Sequence, residues 1–252
     1  MNSYYRSIFE ETAEFLGADK VVSVKKSRAN LEITIKNNLV TGHTAYSVTT
    51  KEPLFFNSAQ KKTLSCELTK IIKSYFEKYD IPRAATVLVA GLGNERIAAD
   101  SLGPKVCDLI NAQKRASYKL CSLKCNVGGN TGIESYDVIK GITERIKPDV
   151  VIAVDTLSCS TPEKLGNTVQ LYDGGLEPGG GVGNAKKTLD FDSLGVPVIA
   201  VGAPFVIYVR NILGKFGITE ETPFTSDIVT SKDVDFLCDD FSFAIADSVN
   251  SL

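Results

Sequence analysis

Two aspartates follow apolar segments of this 252-residue chain at positions where a carboxyl group is able to do chemistry. Asp155 directly follows the apolar run 150–154, and Asp100 comes shortly after the apolar run 86–90 and the turn Gly-Leu-Gly-Asn at 91–94. Two carboxyl groups in one site divide acid and base roles, because mutual repulsion and unequal burial separate their proton affinities. One then activates water while the other donates a proton, so both are candidate catalytic residues.

Two glycine-containing segments are candidates for substrate binding, because free main-chain amides bind an oxyanion or a peptide backbone. The first is the turn after the run 86–90, and the second is the glycine-rich run 174–184. A mobile loop is the alternative for the second segment, since glycine-rich stretches are flexible by default. The candidate substrate-binding residues from these segments are Gly91, Gly93, Asn94, Gly181, Gly183 and Asn184.

Each aspartate also has a purely structural interpretation. Asp100 precedes Ser-Leu-Gly-Pro, which is typical of a capped helix start with proline in the first turn, and a cap alone would account for its residue type. Asp155 has a structural explanation as well, as a carboxylate at the end of a strand that accepts hydrogen bonds from neighbouring main-chain amides. The position of Asp155 directly after a strand favours a catalytic role. The residue types alone leave both the catalytic and the structural interpretation open for the two aspartates.

Other catalytic chemistries have less support in the sequence. His43 is the only histidine, so a Ser-His or Cys-His nucleophile would require that single residue to reach the strand ends. Cys121 and Cys125 form a C-x3-C pair, but no second pair or nearby histidine completes a zinc site. The segment 91–96 is not G-x-G-x-x-G, and no phosphate-binding loop motif occurs, so we predict no metal and no cofactor.

Composition indicates an ordinary globular protein. Hydrophobic residues make up 43% and charged residues 23%, and 28 basic against 30 acidic residues give a net charge of −2. A net charge this close to zero provides no positive electrostatic potential that would attract nucleic acid or an anionic membrane. No apolar run is long enough to span a bilayer. We therefore expect no nucleic-acid or membrane partner, a cytoplasmic location, and six reduced cysteines with structural roles.

Hydrophobic periodicity predicts one domain over 1–252, with an N-terminal α+β section at 1–85 and an α/β core at 86–252. The first section has predicted helices at 4–16 and 59–79 and a strand at 31–35. The core alternates short apolar strands with helices, which predicts a three-layer, mostly parallel sheet covered by helices on both faces. Its predicted strands are 86–90, 149–155, 168–172 and 196–202. Its predicted helices start near 101 and span 133–146, 204–213 and 231–250, the last with Ser231 as N-cap.

Ligands of open α/β sheets bind outside the carboxyl ends of the strands. Both Asp100 and Asp155 follow strands of the same predicted sheet. We therefore expect their carboxyl groups to converge on one cleft at that edge.

An ordered series of motifs across 86–252 resembles the germination protease family, endopeptidases of spore-forming bacteria. Their spacing also matches the family. The motifs lie at 91–94, 100–104, 131–134, 148–155, 168–170, 178–184, 194–204 and 229–235.

The resemblance implies a fold like that of hydrogenase-maturation peptidases and an aspartate-dependent peptidase that degrades small acid-soluble spore proteins during germination. The proposed catalytic aspartates of the family fall on Asp100 and Asp155, and Glu134, in the motif 131–134, joins the candidate substrate-binding residues. Members of the family are made as zymogens, are processed at the N-terminus and assemble as tetramers in the developing spore. These properties are expectations that the resemblance carries, including a location in the forespore or spore core.

Two departures from the family pattern support a function other than catalysis. No arginine follows the second aspartate in 155–160, and Tyr208 stands where the family has an aspartate after the motif 194–204. A catalytically silent relative that binds a protein partner in the same groove is therefore one alternative. The other is a metal-dependent peptidase of the hydrogenase-maturation type, which requires more carboxylate or histidine ligands than the sequence offers.

Overall fold

The computed structural model describes residues 21–28, 30–51, 57–112, 117–179 and 187–252. The predicted helix at 4–16 lies outside these residues. The strands are β1 Val21–Arg28, β2 Leu31–Asn38, β3 Thr44–Thr50, β4 Thr86–Leu92, β5 Lys119–Cys125, β6 Val150–Cys159, β7 Thr168–Tyr172, β8 Val198–Tyr208 and β9 Ile228–Thr230. The helices are α1 Ser58–Lys78, α2 Leu102–Leu109, α3 Gly128–Thr131, α4 Ser135–Ile146, α5 Phe191–Leu194, α6 Val209–Lys215 and α7 Val234–Asn250.

All nine described strands belong to one mixed sheet in the order β1-β2-β3-β7-β8-β6-β4-β5, with β9 added beside β8. Strands β5, β4, β6 and β8 form a parallel core, while the pairs β1–β2, β2–β3, β3–β7, β7–β8 and β8–β9 are antiparallel. Within 86–252 four of the six described strands are parallel to one another, whereas the sheet as a whole is mixed. Only residues 160–167 connect β6 to β7. Because a parallel arrangement needs a crossover of a dozen residues or more, β7 runs antiparallel to the strands of the parallel core.

Helices cover both faces of the sheet, which confirms the predicted three layers. Alternate residues of the central strands point to opposite faces, as the pleat requires. One core lies under α1, α2 and α7 and includes Val87 and Val154, and the other lies under α4 and includes Leu88 and Ala153. The central strands are thus buried on both sides, which is why they read as continuous apolar runs.

The described part of the N-terminal section continues this sheet. Strand β3 pairs with β7 from Ala45 opposite Tyr172 to Thr49 opposite Thr168, so β1, β2 and β3 extend one edge. Helix α1 contributes its apolar stripe, including Leu68 and Ile72, to the same core as the central strands. Residues on both sides of position 85 therefore share one sheet and one core.

Several elements differ in length from the prediction. Strands β6 and β8 stay paired past the expected ends, as far as Cys159 opposite Ile207, and β9 pairs with the end of β8. The helix expected at 204–213 is consequently strand up to Tyr208, and α6 begins only at Val209. The last helix begins at Val234, with Asp233 rather than Ser231 at its N-cap position.

Helix α2 lies directly on strands β4 and β6 because glycines stand at the contact. A Cβ on Gly103 would lie 2.3 Å from the carbonyl oxygen of Leu92 and 2.6 Å from that of Val154, and a Cβ on Gly91 would lie 2.2 Å from the Gly103 oxygen. Such distances are far below van der Waals contact. The close approach places the start of α2, and the residues just before it, against the end of β4.

We predict that Gly103→Ala destabilises the protein by about 1–3 kcal/mol or more, because the new methyl group overlaps main-chain atoms that cannot move independently. The matched control is Gly141→Ala in α4, where a Cβ meets nothing within 4 Å. Helix propensity predicts a gain of up to about 1 kcal/mol for that control. Urea denaturation of both variants measures the difference, and equal stability of Gly103→Ala and wild type would refute the packing role.

Candidate active site

Asp155 lies at the point in the sheet where the pairing of strand β4 stops and its neighbour β6 continues. The last residue pair between β4 and β6 joins Gly91 and Val154, so Asp155 is the first residue of β6 beyond that pairing. On its other side Asp155 stands opposite Gly202 of β8. The residue is only 7% exposed, and its Oδ1 accepts a hydrogen bond of 2.8 Å from the main-chain N–H of Thr156.

Asp100 occupies the last position of a 3₁₀ turn, Ala98–Asp100, which connects β4 to α2. Its Oδ2 accepts a hydrogen bond of 2.9 Å from the main-chain N–H of Asn94. Gly93 makes this turn possible, because its φ of +114° is unfavourable for other residues and a Cβ there would lie 2.1 Å from the main-chain carbonyl oxygen of Asp100. The turn therefore fixes the carboxyl group against the end of β4.

The helix-cap interpretation of Asp100 is wrong. Ser101, not Asp100, is the N-cap residue of α2, and no side chain caps that helix through a hydrogen bond. The Asp100 carboxyl group instead points back to Asn94, in the turn that follows β4. The hydrogen bond to the turn after β4, and not a cap on α2, therefore accounts for an aspartate at position 100.

The two carboxyl groups differ in proton affinity. Burial and, to a smaller extent, the negative charge of Asp100 raise the pKa of Asp155 to about 8, against the opposing effect of the Thr156 N–H. Burial raises the pKa of Asp100 to about 6, against the effect of the Asn94 N–H, which favours the charged form. Between these two values the pair holds one proton, and that proton resides on Asp155. The sensitivity of Asp155 to the charge of Asp100 means that both act in one electrostatic site.

Comparison with known proteins identifies the family of this chain. Residues 50–216, which contain both aspartates, match the family described as germination protease. The chain belongs to the germination protease family. The resemblance recognised from the sequence motifs is thereby confirmed.

Curated germination proteases of several Bacillus species are similar to this chain. The protein of Bacillus licheniformis is 40% identical over 149 residues, which is 55% of this chain and 40% of that protein. The protein of Bacillus subtilis is 36% identical over 162 residues, covering 60% of this chain and 44% of that protein. The protein of Bacillus mycoides is 40% identical over 147 residues, covering 53% and 40%. The chain thus matches less than half the length of these relatives.

The candidate substrate-binding residues of this germination protease family member lie in different environments. Gly91 is buried within β4 beneath α2, where it serves packing, and Gly93 forms the turn beside Asp100. The main-chain N–H of Asn94 is engaged by Asp100, and its side-chain oxygen accepts a hydrogen bond from the Arg96 N–H. Glu134 is exposed just before α4, after β5, and Gly181, Gly183 and Asn184 lie outside the described residues. Their part in substrate binding stays a prediction.

The structure also locates the residues that other chemistries would use. His43 Nδ1 lies 3.5 Å from Oδ1 of Asp173, which follows β7 and not one of the parallel strands. In the part of the chain that the structure describes, no cluster of three or more His, Cys, Asp or Glu side chains could hold a metal ion. Within the same ranges, no helix is both long and apolar enough to cross a membrane.

Sequence reasoning missed Thr156 and Gly202 as parts of this site. Thr156 donates to Asp155, and a Cβ on Gly202 would lie 2.7 Å from the Asp155 main-chain oxygen, so both shape its surroundings. Thr156 adjoins Asp155 in the sequence, but its residue type carries no signal of chemistry. Gly202 becomes relevant only through the pairing of β6 with β8.

Asp155→Asn provides a test of the raised pKa through stability. Wild type binds more protons in the folded than in the unfolded state between about pH 4 and pH 8, so this contribution to its stability is lost as pH rises through that window. Asparagine keeps the Thr156 hydrogen bond and carries no charge. We predict that the variant gains stability over wild type as pH rises, by a few kcal/mol at about pH 8. Urea denaturation at several pH values measures this gap, and a gap that does not change with pH would contradict the assignment.

Proposed function

We propose that this chain is an endopeptidase that hydrolyses small acid-soluble spore proteins during germination with a water molecule activated by Asp100 and Asp155. The observation that carries the proposal is the placement of two carboxyl groups of unequal pKa at the end of β4. Membership of the germination protease family supports the peptidase activity. Because the match covers less than half of the relatives' length, the substrate is part of the proposal.

The proposed reaction uses the one proton that the pair shares. The Asp100 carboxylate takes a proton from water, and the water oxygen attacks the scissile carbonyl carbon while Asp155 gives its proton to the carbonyl oxygen. Asp100 then protonates the amide nitrogen, and Asp155 recovers a proton from the tetrahedral intermediate as the C–N bond breaks. An amine and a carboxylic acid leave, and both aspartates return to their starting states.

Family membership supports further proposals about biological context. We propose synthesis as a zymogen, assembly as a homotetramer and action in the forespore and spore core, as the resemblance implies for the family. Light scattering of the purified protein tests the assembly size directly.

One observation favours a catalytically silent relative as a second candidate. Tyr208, where the family has an aspartate, is buried, and the Arg210 guanidinium lies 3.9 Å from the centre of its ring. A silent relative would still bind spore proteins and would leave them intact. Incubation of the purified protein with a small acid-soluble spore protein separates the two functions.

We predict that Asp100→Asn and Asp155→Asn each lower the rate of cleavage by about 10²–10⁴, because neither amide can exchange the proton that the reaction requires. Asparagine accepts the Asn94 or Thr156 hydrogen bond as aspartate does, so both variants should fold. The double variant should be little worse than either single one, since the pair acts as a unit. Asp137→Asn, an exposed aspartate of α4, is the matched control and should cleave normally. Wild-type cleavage by Asp100→Asn would overturn the mechanism.

A metal-dependent peptidase is tested by chelation. The proposed reaction assigns no role to a metal ion or a thiol, so cleavage should survive a strong chelator and a thiol-blocking reagent. Complete loss on chelation, followed by recovery with an added divalent metal, would favour the hydrogenase-maturation type of peptidase instead.

A further inference from the structure

Residues 216–230 form an arm that follows α6 and ends in β9. The main chain holds the arm in place, because N–H groups at the start of α6 donate to the oxygens of Thr225 and Asp227, and β9 pairs with β8. Five large apolar side chains of the arm are exposed: Phe216, Ile218, Phe224, Ile228 and Val229. Exposed apolar patches mark interaction sites in soluble proteins, so the arm is a candidate docking surface.

The arm is also acidic. It contains Glu220, Glu221 and Asp227 and no basic residue. All three carboxylates are exposed, and none forms an ion pair with a residue that the structure describes. A protrusion that is both apolar and negatively charged is complementary to an apolar recess surrounded by positive charge.

A cleft with these properties lies between the β1–β2 hairpin and the first half of α1. Its volume is about 440 Å³, within the range of about 300–1,000 Å³ that is usual for binding pockets. Leu31 and Ala59 contribute apolar surface, and Arg28, Lys62 and Lys70 contribute positive charge. We call it the basic cleft.

Positive charge exceeds negative charge in the basic cleft. Arg28 and Lys70 share one carboxylate, that of Glu67, at N–O distances of 3.5 and 2.8 Å. Lys62 lies 3.0 Å from Asp247, which does not line the cleft. The three cations are 51–63% exposed, whereas the Glu67 side chain is only 13% exposed. Because Arg and Lys carry several donors each, they are able to bind further carboxylates from outside.

Strand β1 extends the apolar part of this surface. Side chains alternate along a strand, so Val22 and Val24 share a face with Arg28. On that face Arg28 stands opposite Leu31 and Val24 opposite Ile35, both of which pack in the core beneath α1. Val22 and Val24 are nevertheless 46% and 42% exposed, at the edge of the sheet. The cleft and the two valines thus form one continuous surface.

We infer that the arm of one copy of this chain docks in the basic cleft of a second copy. Phe224 fills the apolar recess, and Glu220 and Glu221 pair with Arg28 and Lys62. The arm does not reach the cleft of its own chain, because it is fixed beside β8, and β7, β3 and β2 separate β8 from β1. At a strand spacing of about 4.8 Å, this separation is about 19 Å.

The proposed contact joins two different surfaces, so it is heterologous. Each copy carries one arm and one cleft, and copies therefore join head to tail, either in a closed ring or in an open filament. A ring of four copies is the homotetramer proposed above. The inference rests on that part of the proposed function and adds the surfaces through which the copies meet.

A charge swap tests the contact. Arg28→Glu/Lys62→Glu reverses the cleft, Glu220→Lys/Glu221→Lys reverses the arm, and a combined variant carries all four changes. We expect each one-sided reversal to raise the dissociation constant of the assembly by about 30-fold or more, and the combined variant to return to within about threefold of wild type. Lys119→Glu, at the exposed opposite edge of the sheet, is the control and should assemble normally. Sedimentation equilibrium measures the assembly, and circular dichroism confirms the fold.

The apolar part of the contact is tested by Phe224→Ser. Loss of an aromatic anchor at the centre of an interface should raise the dissociation constant by about 30-fold or more. Phe191→Ser is the matched control, because Phe191 is 59% exposed on α5, away from the arm, and should leave assembly unchanged. If Phe224→Ser does not fold, the charge swap decides alone.

Three results would overturn the inference. One is a wild-type protein that has the mass of a single chain at every concentration. Another is a one-sided reversal that leaves the mass unchanged, which means that the copies meet elsewhere or that something else fills the cleft. The third is a combined variant that stays as dissociated as the one-sided reversals.

The failure of this inference is distinguishable from that of the proposed peptidase, because mass is measured without substrate. A protein that passes the charge swap and leaves a small acid-soluble spore protein intact keeps the interface and rejects the peptidase. A tetramer that cleaves and is insensitive to every reversal keeps the proposed function and rejects only the interface.

Discussion

The candidate active site depends on the placement of two carboxyl groups where both cannot ionise freely. An ionised carboxylate loses several kcal/mol of hydration when it is buried, and a second negative charge nearby adds repulsion. Asp155, at the centre of the sheet, bears most of this cost and holds its proton to about pH 8, whereas Asp100 loses its proton near pH 6. One fold thus gives two residues of the same type different proton affinities.

The backbone around the pair is built to keep it together. Gly91 and Gly103 let α2 lie on the main chain of β4 and β6, and Gly93 turns the chain so that Asp100 returns to the strand end. Each carboxyl group is held by one main-chain N–H, from Asn94 or from Thr156. Because main-chain donors cannot swing away as side chains do, the two acids have little freedom to separate.

Local patterns in the sequence were enough to predict much of this arrangement. Apolar runs revealed β4, β6 and β7, helical periodicity revealed α1, α4 and α7, and the motif series revealed the family. The rule that ligands bind at the carboxyl ends of parallel strands pointed to Asp100 and Asp155.

The features that sequence reasoning missed depend on contacts between distant parts of the chain. The antiparallel strands around β7, the extension of β6 and β8, and the place of β3 in the sheet follow from pairings that local patterns do not contain. Asp100 fits a helix cap in sequence, yet its carboxyl group meets Asn94 because Gly93 reverses the chain. Thr156 gains significance only where β4 ends, and a single sequence does not mark that point.

The most direct test of the central claim is the pH dependence of kcat/KM for cleavage of a small acid-soluble spore protein by the wild-type enzyme. A pair that works with one shared proton gives a bell-shaped profile whose two limbs report the pair as a unit. We predict activity that falls below about pH 6, as Asp100 becomes protonated, and above about pH 8, as Asp155 ionises. A profile that stays flat from pH 5 to pH 9, or one that rises through a single ionisation, would contradict the shared-proton account.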